Sequence, residues 1–358
     1  MRTLLLSPEL FLAEGGIARI MRVYLKALCA GAAPGDCIES LVLNDGPAAD
    51  ARLPRYAGPA LQANRGCQRR KPAFFRQVLR LGWRSDRIIC GHLHLLPLVL
   101  FVKLLRPRLA YYLVAHGIEV WRPYSVMESA ALRRARGIFC VSEYTRRQML
   151  RFCPGLDPAK LTVLPNTLDP YLASGQDTAP SRTIAGPVIL SVARLTAADS
   201  YKGIDVLIEA LPLILRQLPL AQLRIVGGGD DLPRLRDLAA QLRVTSSVHF
   251  AGQIDDQALR AEYAGCDLFA LPSRREGFGL VYLEAMTCGK PCLAARAGGA
   301  PEVVDDSVGA LAEYGNIPET AAAVLDLVRH PRDPEAIRRH ADTFAFPAFC
   351  ARLSAALA

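Results

Sequence analysis

Short apolar runs alternate with helix-like stretches along this chain, and the alternation runs through it twice. In the amino-terminal half the apolar runs are TLLLS, IESLVLN, RIIC, LAYYLVAH, GIFCVS and LTVLPN, with helical patterns at 17–30 and 126–135. After a break, the runs PVILSVARL, AQLRIVGGG, SSVHFAG, DLFALPS and KPCLAAR alternate with helical patterns at 203–217, 231–242, 255–264, 279–288 and 319–329. This alternation is typical of a parallel sheet with crossover helices, so the sequence predicts an α/β protein with two doubly wound domains in tandem.

The break between the halves is a segment with few large apolar side chains. Residues 169–187 are rich in Pro, Gly, Ser and Thr, a composition typical of a linker. We therefore predict an amino-terminal domain at 1–172, a linker at 173–187 and a second domain that begins at 188. Ligands of doubly wound sheets bind beyond the carboxyl ends of the strands, so two such domains facing each other would hold a ligand between them.

Composition excludes several other classes of protein. Of the 358 residues, 51% are hydrophobic and 22% charged, with 27 Gly and 25 Pro scattered along the chain, which argues against a disordered, collagen-like or coiled-coil protein. The longest uncharged apolar stretch, 88–102, is shorter than the roughly 20 residues of a membrane-spanning helix, and the amino terminus lacks the apolar core of a signal peptide. Ten Cys without a C-x-x-C pair favour reduced thiols. These features predict a cytoplasmic protein.

The positive charge is concentrated in one half of the chain. Residues 1–186 contain 26 Lys and Arg against 13 Asp and Glu, whereas residues 187–358 contain 17 against 21. A basic domain suggests an anionic surface or an anionic acceptor as its partner. The basic residues contain no recognisable RNA- or DNA-binding module, so we expect no nucleic-acid partner.

The most informative motif is LPSRREGFGLVYLEAMTC at 271–288, in which a strand leads through a polar turn into a helix. If the helix begins near residues 278–280, its free N–H groups form an anion-binding site. Glu276 would then lie at the mouth of that site and Glu284 about two turns into the helix. The alternative is that Glu276 is only a favourable charge at a helix N-terminus. A second carboxylate in an otherwise apolar helix argues against that alternative, because an unpaired charge there is costly.

The run EGFGLVYLEAM, followed by CGKPCLAARAGGAPEVV, closely resembles the signature of the retaining, nucleotide-sugar-dependent glycosyltransferases of family 4, whose fold is GT-B. The Glu-x7-Glu spacing is the hallmark of this family. Further pieces follow in the family's order, namely GGIAR at 15–19, HGIEVW at 116–121, VLPNTLD at 163–169, SVARL at 191–195, YKGIDVLIEAL at 201–211, IVGGGDD at 225–231 and VHFAG at 248–252. The resemblance covers nearly the whole chain, and the ordered set is far more specific than any single piece.

The resemblance implies a fold and an activity. In the GT-B fold, two Rossmann-like domains face each other across a cleft and a C-terminal helix crosses back to the first domain; the second domain would here end at 341 and the helix would take up 342–358. The implied reaction moves a hexosyl group, with retention of configuration, from a UDP- or GDP-sugar to a sugar or lipid-linked glycan acceptor in polysaccharide or glycolipid synthesis. Two alternatives stay open: another GT-B enzyme, such as a nucleotide-sugar epimerase, and a noncatalytic subunit that binds a sugar nucleotide.

Loss of the nucleoside diphosphate requires positive charge, either from cationic side chains or from a metal ion. The sequence has no Asp-x-Asp pair and no His/Asp/Glu cluster, so we expect no metal and no cofactor besides the nucleotide-sugar substrate. Arg194 ends a predicted strand and Lys202 lies at the start of the next helix, so both can reach the same phosphates. The resemblance gives these two residues that role.

Two glycine-containing loops follow predicted strands. Gly15 and Gly16 lie in the first strand-to-helix loop, where the resemblance implies contact with the donor diphosphate, although such a pair is also an ordinary turn signal. Gly227 and Gly229 belong to a second strand-end loop, and we expect them to shape the surroundings of the nucleoside.

The resemblance also implies roles around the transferred sugar. Glu276 and the helix start would hold the donor sugar and its phosphates, while Glu284 accepts hydrogen bonds from the ribose hydroxyls. The backbone N–H groups at the helix start belong to Phe278, Gly279 and Leu280. His116 would lie beside the sugar, where it can hydrogen-bond a hydroxyl, and Glu119 would help to orient the acceptor.

A basic amphipathic helix is predicted to begin at Pro72 and to run to residue 84. Its apolar side holds Phe74, Phe75, Val78, Leu79 and Leu81, and the opposite arc holds Arg76, Arg80, Arg84 and Arg87. Such a helix can lie on an anionic membrane, with Phe74, Phe75 and Leu81 at the interface and Arg76, Arg80 and Arg84 at the headgroups. It can equally pack its apolar side on a sheet and expose its arginines to solvent. The first interpretation would place the protein on the inner face of the plasma membrane.

Overall fold

The computed structural model describes residues 1–12, 15–173 and 185–358, and it divides into two compact units. The first unit comprises Met1–Tyr171 together with Phe344–Ala358, and the second comprises Leu172–Thr343. The sequence-based limits of the second domain were 188 and 341. The predicted linker at 173–187 lies almost entirely outside the described residues.

Seven strands of the described first unit form one parallel sheet in the order β3-β2-β1-β4-β5-β6-β7. The strands are β1 (Arg2–Ser7), β2 (Cys37–Val42), β3 (Leu61–Gly66), β4 (Arg87–Cys90), β5 (Ala110–Ala115), β6 (Gly137–Cys140) and β7 (Leu161–Val163). The helices are α1 (Gly16–Ala30), α2 (Leu53–Tyr56), α3 (Lys71–Arg84), α4 (Leu96–Leu105), α5 (Val126–Arg134) and α6 (Glu143–Phe152), and α7 (Pro170–Ala173) spans the limit of the unit. Helices cover both faces, so the middle of the interior strand β1 is apolar and Leu4, Leu5 and Leu6 are fully buried.

Six strands of the second unit, within its described residues, form a parallel sheet in the order β10-β9-β8-β11-β12-β13. The strands are β8 (Val188–Val192), β9 (Gln222–Val226), β10 (Val248–Gly252), β11 (Leu268–Leu271), β12 (Cys292–Ala295) and β13 (Gly309–Ala312). The helices are α8 (Ile204–Leu215), α9 (Leu232–Gln241), α10 (Asp256–Gly265), α11 (Leu280–Thr287), α12 (Ile317–Arg329) and α13 (Pro334–Asp342). The prediction of two doubly wound α/β domains is confirmed.

Each sheet has a point at which the strand order reverses. In the first unit β1 lies between β2 and β4, and in the second β8 lies between β9 and β11. Helices on either side of such a point leave opposite faces of the sheet, which opens a crevice at the carboxyl ends of the strands. The loops after β8 and β11 therefore occupy the position at which an open α/β sheet binds ligands.

The last helix, α14 (Phe346–Leu357), belongs to the first unit and packs against α1. Phe349 is buried, and its ring meets that of Tyr24 edge-on at 5.1 Å. The helix begins four residues after the predicted start at 342, because α13 ends at Asp342 and a short turn separates the two helices.

The side of α3 that packs on the sheet is narrower than the apolar side that the sequence predicted. Phe74, Val78 and Leu81 are buried in the core of the first unit. The prediction that Phe74 and Leu81 enter a membrane interface is therefore wrong, since their spacing turns both toward the sheet. After the first two residues of α3, the exposed positions are Phe75, Arg76, Arg80, Trp83 and Arg84, whereas Arg87 is not on the helix but is the first residue of β4.

Within the described ranges, no helix has the length and apolar character needed to cross a bilayer. All ten cysteines lie inside these ranges and are free thiols.

Candidate functional site

A salt bridge joins Lys202 and Glu276 at the carboxyl-end loops of β8 and β11. Lys202 Nζ lies 2.7 Å from Glu276 Oε2, and the two side chains are only 18% and 14% exposed. Lys202 ends a short 3-10 helix (Ala197–Lys202) and is followed by Gly203 at φ +75°. A Cβ at Gly203 would lie 2.5 Å from the carbonyl oxygen of Pro272, so glycine permits the close approach of the two loops.

The backbone of Glu276 is fixed by a third loop, which follows β12. The Gly299 N–H donates to the Glu276 carbonyl at 2.7 Å. Gly298 has φ +62°, and a Cβ there would lie 2.5 Å from the same carbonyl oxygen. Glu276 is thus held from the backbone as well as through its side chain, and its carboxylate keeps the ammonium of Lys202 in one position.

The helix next to Glu276 begins within the range 278–280 that the sequence predicted. α11 starts at Leu280, and Gly279 precedes it in the left-handed region with φ +94°. A Cβ at Gly279 would meet the ring of Tyr282 at 2.3 Å, so only glycine fits this turn. Phe278 is buried in the turn that precedes the helix. The same Cβ position at Gly279 lies 3.3 Å from Glu276 Cγ, so the start of α11 is next to the Glu276 side chain.

Arg194 follows β8, and its guanidinium group is held by one ion pair. Its Nη2 lies 3.1 Å from Asp199 Oδ1, and its side chain is 71% exposed whereas that of Asp199 is 8% exposed. Asp199 also accepts hydrogen bonds from the hydroxyls of Thr196 and Tyr201, both at 2.8 Å. Burial and the neighbouring Asp199 raise the pKa of Tyr201, so this hydroxyl remains a donor. Asp199 thus orients a guanidinium that still presents most of its donors to solvent.

The glycine loop after β9 packs directly on the segment that carries Arg194. Gly227 has φ +134°, and a Cβ at this residue would overlap the Ala193 carbonyl oxygen at 1.8 Å. A Cβ at Gly229 would overlap the Leu195 carbonyl oxygen at 2.1 Å. These glycines are required for loop packing, and their predicted contact with a nucleoside stays a prediction.

Glu284 lies in the second turn of α11 and is half-buried. Its Oε2 accepts a hydrogen bond from the hydroxyl of Tyr263, on α10, at 2.8 Å. Sequence reasoning did not single out Tyr263, because a buried tyrosine in an amphipathic helix gives no signal of its own. The expected contact between Glu284 and the ribose stays a prediction.

In the first unit, Gly15 caps α1 and Gly16 is its first residue. A Cβ at either glycine would meet no described atom within 4 Å, so steric crowding within the described protein does not require them. The preceding loop is held by Asp45, whose carboxylate accepts N–H groups from Leu10, Phe11 and Leu12 at 2.9–3.3 Å. Asp45 was missed from the sequence, since only the fold brings it to this loop.

His116 follows β5 and has one nitrogen without a partner. Its Nε2 lies 2.8 Å from the carbonyl oxygen of Gly91, which can only accept, so Nε2 carries the proton. Nδ1 is buried and makes no hydrogen bond with any described residue. Burial lowers the pKa of His116 to about 4, so the ring is neutral at physiological pH and Nδ1 is a hydrogen-bond acceptor.

Glu119 holds the turn that carries His116. Its Oε1 accepts the backbone N–H of His116 at 2.5 Å, and burial raises the pKa of this carboxyl group. His92 lies close enough to stabilise its negative charge, although burial lowers the pKa of His92 itself to about 4. Glu119 is therefore a positioning residue for His116, and its predicted contact with an acceptor stays a prediction.

The structure thus groups the predicted residues by unit. Arg194, Lys202 and Glu276 meet at the ends of β8 and β11, while His116 and Glu119 share one turn in the first unit. Among the residues that the structure describes, no three His, Cys, Asp or Glu side chains are arranged to hold a metal ion.

Two family models match the chain, one in its second half and one in its first half. The model of glycosyl transferases group 1 matches residues 182–344, and the model of glycosyltransferase family 4 matches residues 23–171. The two matches together take in most of the chain, in the order of the two units. The chain therefore belongs to glycosyltransferase family 4.

Several curated proteins are similar to the chain. A GDP-mannose-dependent alpha-(1-6)-phosphatidylinositol monomannoside mannosyltransferase of Mycolicibacterium smegmatis is 37% identical over 257 residues, which are 66% of this chain and 66% of that protein. Glycogen synthase of Mycobacterium tuberculosis is 33% identical over 231 residues, 63% of this chain and 50% of that enzyme. The aligned region thus spans two thirds or less of the length of these curated relatives.

Solved structures share the fold over nearly the whole chain. HepE of Anabaena in complex with UDP has a TM-score of 0.79 at 21% identity, with 100% of this chain and 99% of that chain covered. The lipopolysaccharide outer core galactosyltransferase WaaB has a TM-score of 0.75 at 15% identity and the same coverage. At these identities the likeness concerns the fold, which is GT-B.

Proposed function

We propose that the protein is a retaining hexosyltransferase that uses a UDP- or GDP-sugar and needs no metal ion. The observation that carries this proposal is the Lys202–Glu276 pair, 2.7 Å long and largely buried, beside the N-terminus of α11. A cation and the free N–H groups of a helix start converge there, a combination that suits a diphosphate. Membership of glycosyltransferase family 4 supports the same reaction class.

The negative charge that develops on the leaving diphosphate would be stabilised by Lys202 and Arg194. Both are held by carboxylates before any ligand binds, Lys202 by Glu276 and Arg194 by Asp199. Electrostatic groups that are already oriented cost no reorganisation during the reaction, which is why they are effective. Two such cations can supply the charge stabilisation that a divalent metal supplies in other enzymes.

Retention would follow if the acceptor attacks from the face that the diphosphate leaves. This route needs no carboxylate nucleophile, and it suits a Glu276 whose carboxylate is occupied by Lys202. His116 would accept a hydrogen bond from a hydroxyl of the transferred sugar, because its buried Nδ1 has a lone pair and no partner among the described residues. Its lowered pKa keeps that lone pair available at neutral pH.

The similar mannosyltransferases suggest which substrates to test first. Their names give GDP-mannose as donor and a phosphatidylinositol mannoside as acceptor. We therefore place a lipid-linked glycan first among acceptor classes and screen GDP- and UDP-sugars in parallel, since the base contacts depend on details outside the Lys202–Glu276 pair.

We also propose that the protein works in the cytoplasm, at the inner face of the plasma membrane. The exposed side of α3 supports this, because Arg76, Arg80 and Arg84 lie next to Phe75 and Trp83. Phe75 contacts Phe101 of α4 at 6.1 Å between ring centroids, and Phe101 is itself 43% exposed. An apolar strip flanked by arginines is the pattern of a helix that lies on an anionic interface.

The decisive experiment is transfer from GDP-mannose and a panel of UDP-sugars to a lipid-linked glycan, with and without EDTA. The expected product keeps the anomeric configuration of the donor, as assigned by NMR, and EDTA leaves the rate unchanged. An inverted product would contradict the retaining mechanism, and loss of activity restored by Mg²⁺ or Mn²⁺ would contradict metal independence. Epimerised donor without transfer would identify an epimerase, and nucleotide binding without turnover would identify a noncatalytic subunit.

A further inference from the structure

A pocket of about 640 Å³ lies at the amino-terminal edge of the first unit's sheet. This edge is opposite to the carboxyl ends of the strands, where His116 follows β5. The lining comes from the starts of β4 and β5, the segments just before β6 and β7, and the two ends of the unit. Its residues are Met1, Asp86, Arg87, Lys103, Arg108, Leu109, Ala110, Tyr111, Tyr112, Arg134, Ala135, Arg136, Lys160, Leu357 and Ala358.

The lining of this basic pocket is strongly positive. It contains four arginines and two lysines, whereas Asp86 supplies the only carboxylate side chain among these described residues. Asp86 is partly engaged, because it accepts the backbone N–H of Arg2 at 2.7 Å and lies 3.8 Å from a nitrogen of Arg106. The excess of positive charge is therefore not balanced within the pocket.

Three of the six cations have a structural task. Lys103 donates to the carbonyls of Pro107 and Leu109, Lys160 donates to the carbonyl of Arg133, and Arg87 donates to the hydroxyl of Thr3. The Arg133 carbonyl lies in the last turn of α5, where the partial negative charge of a helix C-terminus favours a cation. Local structure thus accounts for these three cations.

The other three cations are not explained in this way. Arg108, Arg134 and Arg136 are exposed, and their guanidinium groups make no hydrogen bond or ion pair with any described residue. They come from three different segments: the loop before β5, the last turn of α5 and the residue before β6. Their convergence on one pocket is a product of the fold, because in sequence Arg108 is far from the other two.

We propose that this basic pocket binds a phosphate ester through Arg108, Arg134 and Arg136. Guanidinium groups pair with phosphate oxygens in a bidentate manner, and three of them can surround one phosphate. The volume is in the range of sites for small organic ligands, so it can accept the group to which the phosphate is attached. The pocket lies at the opposite edge of the first unit's sheet from His116, and the inference does not depend on the transferase activity.

The phosphate ester could belong to a lipid headgroup or to a soluble metabolite. Leu104 and Leu105, at the end of α4, are exposed to 59% and 52% and lie between Lys103 and Arg108 in sequence. Trp83 is 59% exposed, and its carbonyl accepts a hydrogen bond from Arg106 at 2.7 Å. Exposed apolar side chains beside a phosphate pocket suit a headgroup in a membrane, and the experiment separates the two sources.

The test compares the wild type with a variant that carries Arg108→Gln, Arg134→Gln and Arg136→Gln. These side chains are exposed, so the melting temperature should stay unchanged. A matched control carries Arg147→Gln, Arg151→Gln and Arg216→Gln, three exposed arginines outside the pocket lining, and loses the same charge. Titration calorimetry with sn-glycerol 3-phosphate tests the soluble source. Sedimentation with vesicles of phosphatidylglycerol and phosphatidylcholine, against pure phosphatidylcholine, tests the lipid source.

The expected result is that the pocket variant loses affinity for one of the two probes by tenfold or more, as for loss of charge-assisted hydrogen bonds, while the control variant keeps it. Loss with glycerol phosphate identifies a soluble ligand, and loss only with anionic vesicles identifies a lipid headgroup. The proposal is overturned if wild-type protein binds neither probe, or if the pocket variant and the control lose the same amount. Donor binding measured on the same proteins reports on the transferase separately.

Discussion

The two units hold their positive charge in different ways. In the second unit, the two cations assigned to the donor are paired with carboxylates, Lys202 with Glu276 at 2.7 Å and Arg194 with Asp199 at 3.1 Å. In the first unit, the exposed arginines of α3 and of the basic pocket have no such partner among the described residues. These are Arg76, Arg80 and Arg84 on α3 and Arg108, Arg134 and Arg136 in the pocket.

Because of this difference, the two sets of cations suit different tasks. A cation held by a carboxylate, as Lys202 and Arg194 are, has a defined orientation, and it can therefore stabilise charge that develops at one point in a reaction. Exposed and unpaired cations are mobile, and salt screens their attraction, so they favour anionic surfaces or flexible anions without orienting them precisely. Under the proposed function, the basic first unit would bind an anionic partner and the second unit would orient the donor. Four experiments test this comparison.

The largest expected effect concerns the integrity of the first unit alone. Phe349→Ala removes a buried ring from the contact between α14 and α1, and we expect a loss of about 3–5 kcal/mol in the free energy of unfolding. Phe75→Ala, on the exposed side of α3, is the matched control and should cost about 1 kcal/mol or less. Thermal unfolding followed by calorimetry measures both. Equal melting temperatures for the two variants would show that α14 does not stabilise the first unit.

The next effect concerns the paired cations. Lys202→Ala should lower kcat by a factor of about 10²–10³, because it removes an oriented electrostatic donor from the leaving diphosphate. Lys290→Ala, a half-buried lysine of the same unit, is the control and should leave kcat within about twofold. Rates are measured with the best nucleotide-sugar at saturation. If Lys202→Ala raises only KM, the lysine binds the ground state and the distinction between orienting and merely attracting cations fails for this unit.

Eleven of the thirteen strands in the described residues were predicted, and the two missed strands share one property. The strands β3 and β13 were not predicted, and both lie at the edge of their sheet. The sequence LQANRG of β3 is largely polar, and GALA of β13 contains only one large apolar side chain. An edge strand has a neighbour on one side only and is recruited by pairing with it, so its own sequence carries a weak signal.

The residues of the candidate site were easier to find than their partners. Lys202 and Glu276 both stand at strand ends in the sequence, but they are 74 residues apart and nothing in the pattern predicts that they form a pair. The start of α11 was predicted to within two residues, and the left-handed Gly279 marks where the turn before it ends. Asp45 and Tyr263 were missed for the same reason, since their roles depend on contacts between distant segments.

A smaller effect tests the neutral histidines of the first unit. Burial lowers the pKa of His116 and of His92 to about 4 in the folded protein, below the usual value of 6.5. As the pH falls, these histidines are therefore protonated in the unfolded chain before they are protonated in the folded protein. The free energy of unfolding should fall by about 1–2 kcal/mol for each histidine when the pH is lowered from 7 to 5. Glu119 acts in the opposite direction, because its raised pKa lets the folded protein take up a proton first.

The single variant His116→Gln isolates one of these contributions. Its unfolding free energy, measured with urea at pH 7 and pH 5, should depend less steeply on pH than that of the wild type. His249→Gln, which changes an exposed histidine of β10, should follow the wild-type dependence. Parallel curves for wild type and His116→Gln would mean that His116 can be protonated without loss of structure, and the neutral Nδ1 acceptor would lose its support.

The smallest effect concerns a single unpaired cation on α3. Arg80→Gln should weaken binding to phosphatidylglycerol vesicles by about fivefold at low salt, since one basic residue near an anionic surface contributes about 1 kcal/mol. Arg147→Gln, exposed on α6, is the control and should bind like the wild type if α3 is the contact surface. The effect should disappear at high salt, because screening shortens the reach of an exposed charge, whereas the Lys202→Ala defect should persist. Equal losses of vesicle binding for Arg80→Gln and Arg147→Gln would show that α3 is a packed helix with solvated arginines and not the contact surface. The attraction to anionic vesicles would then be a general property of the exposed charge of the first unit.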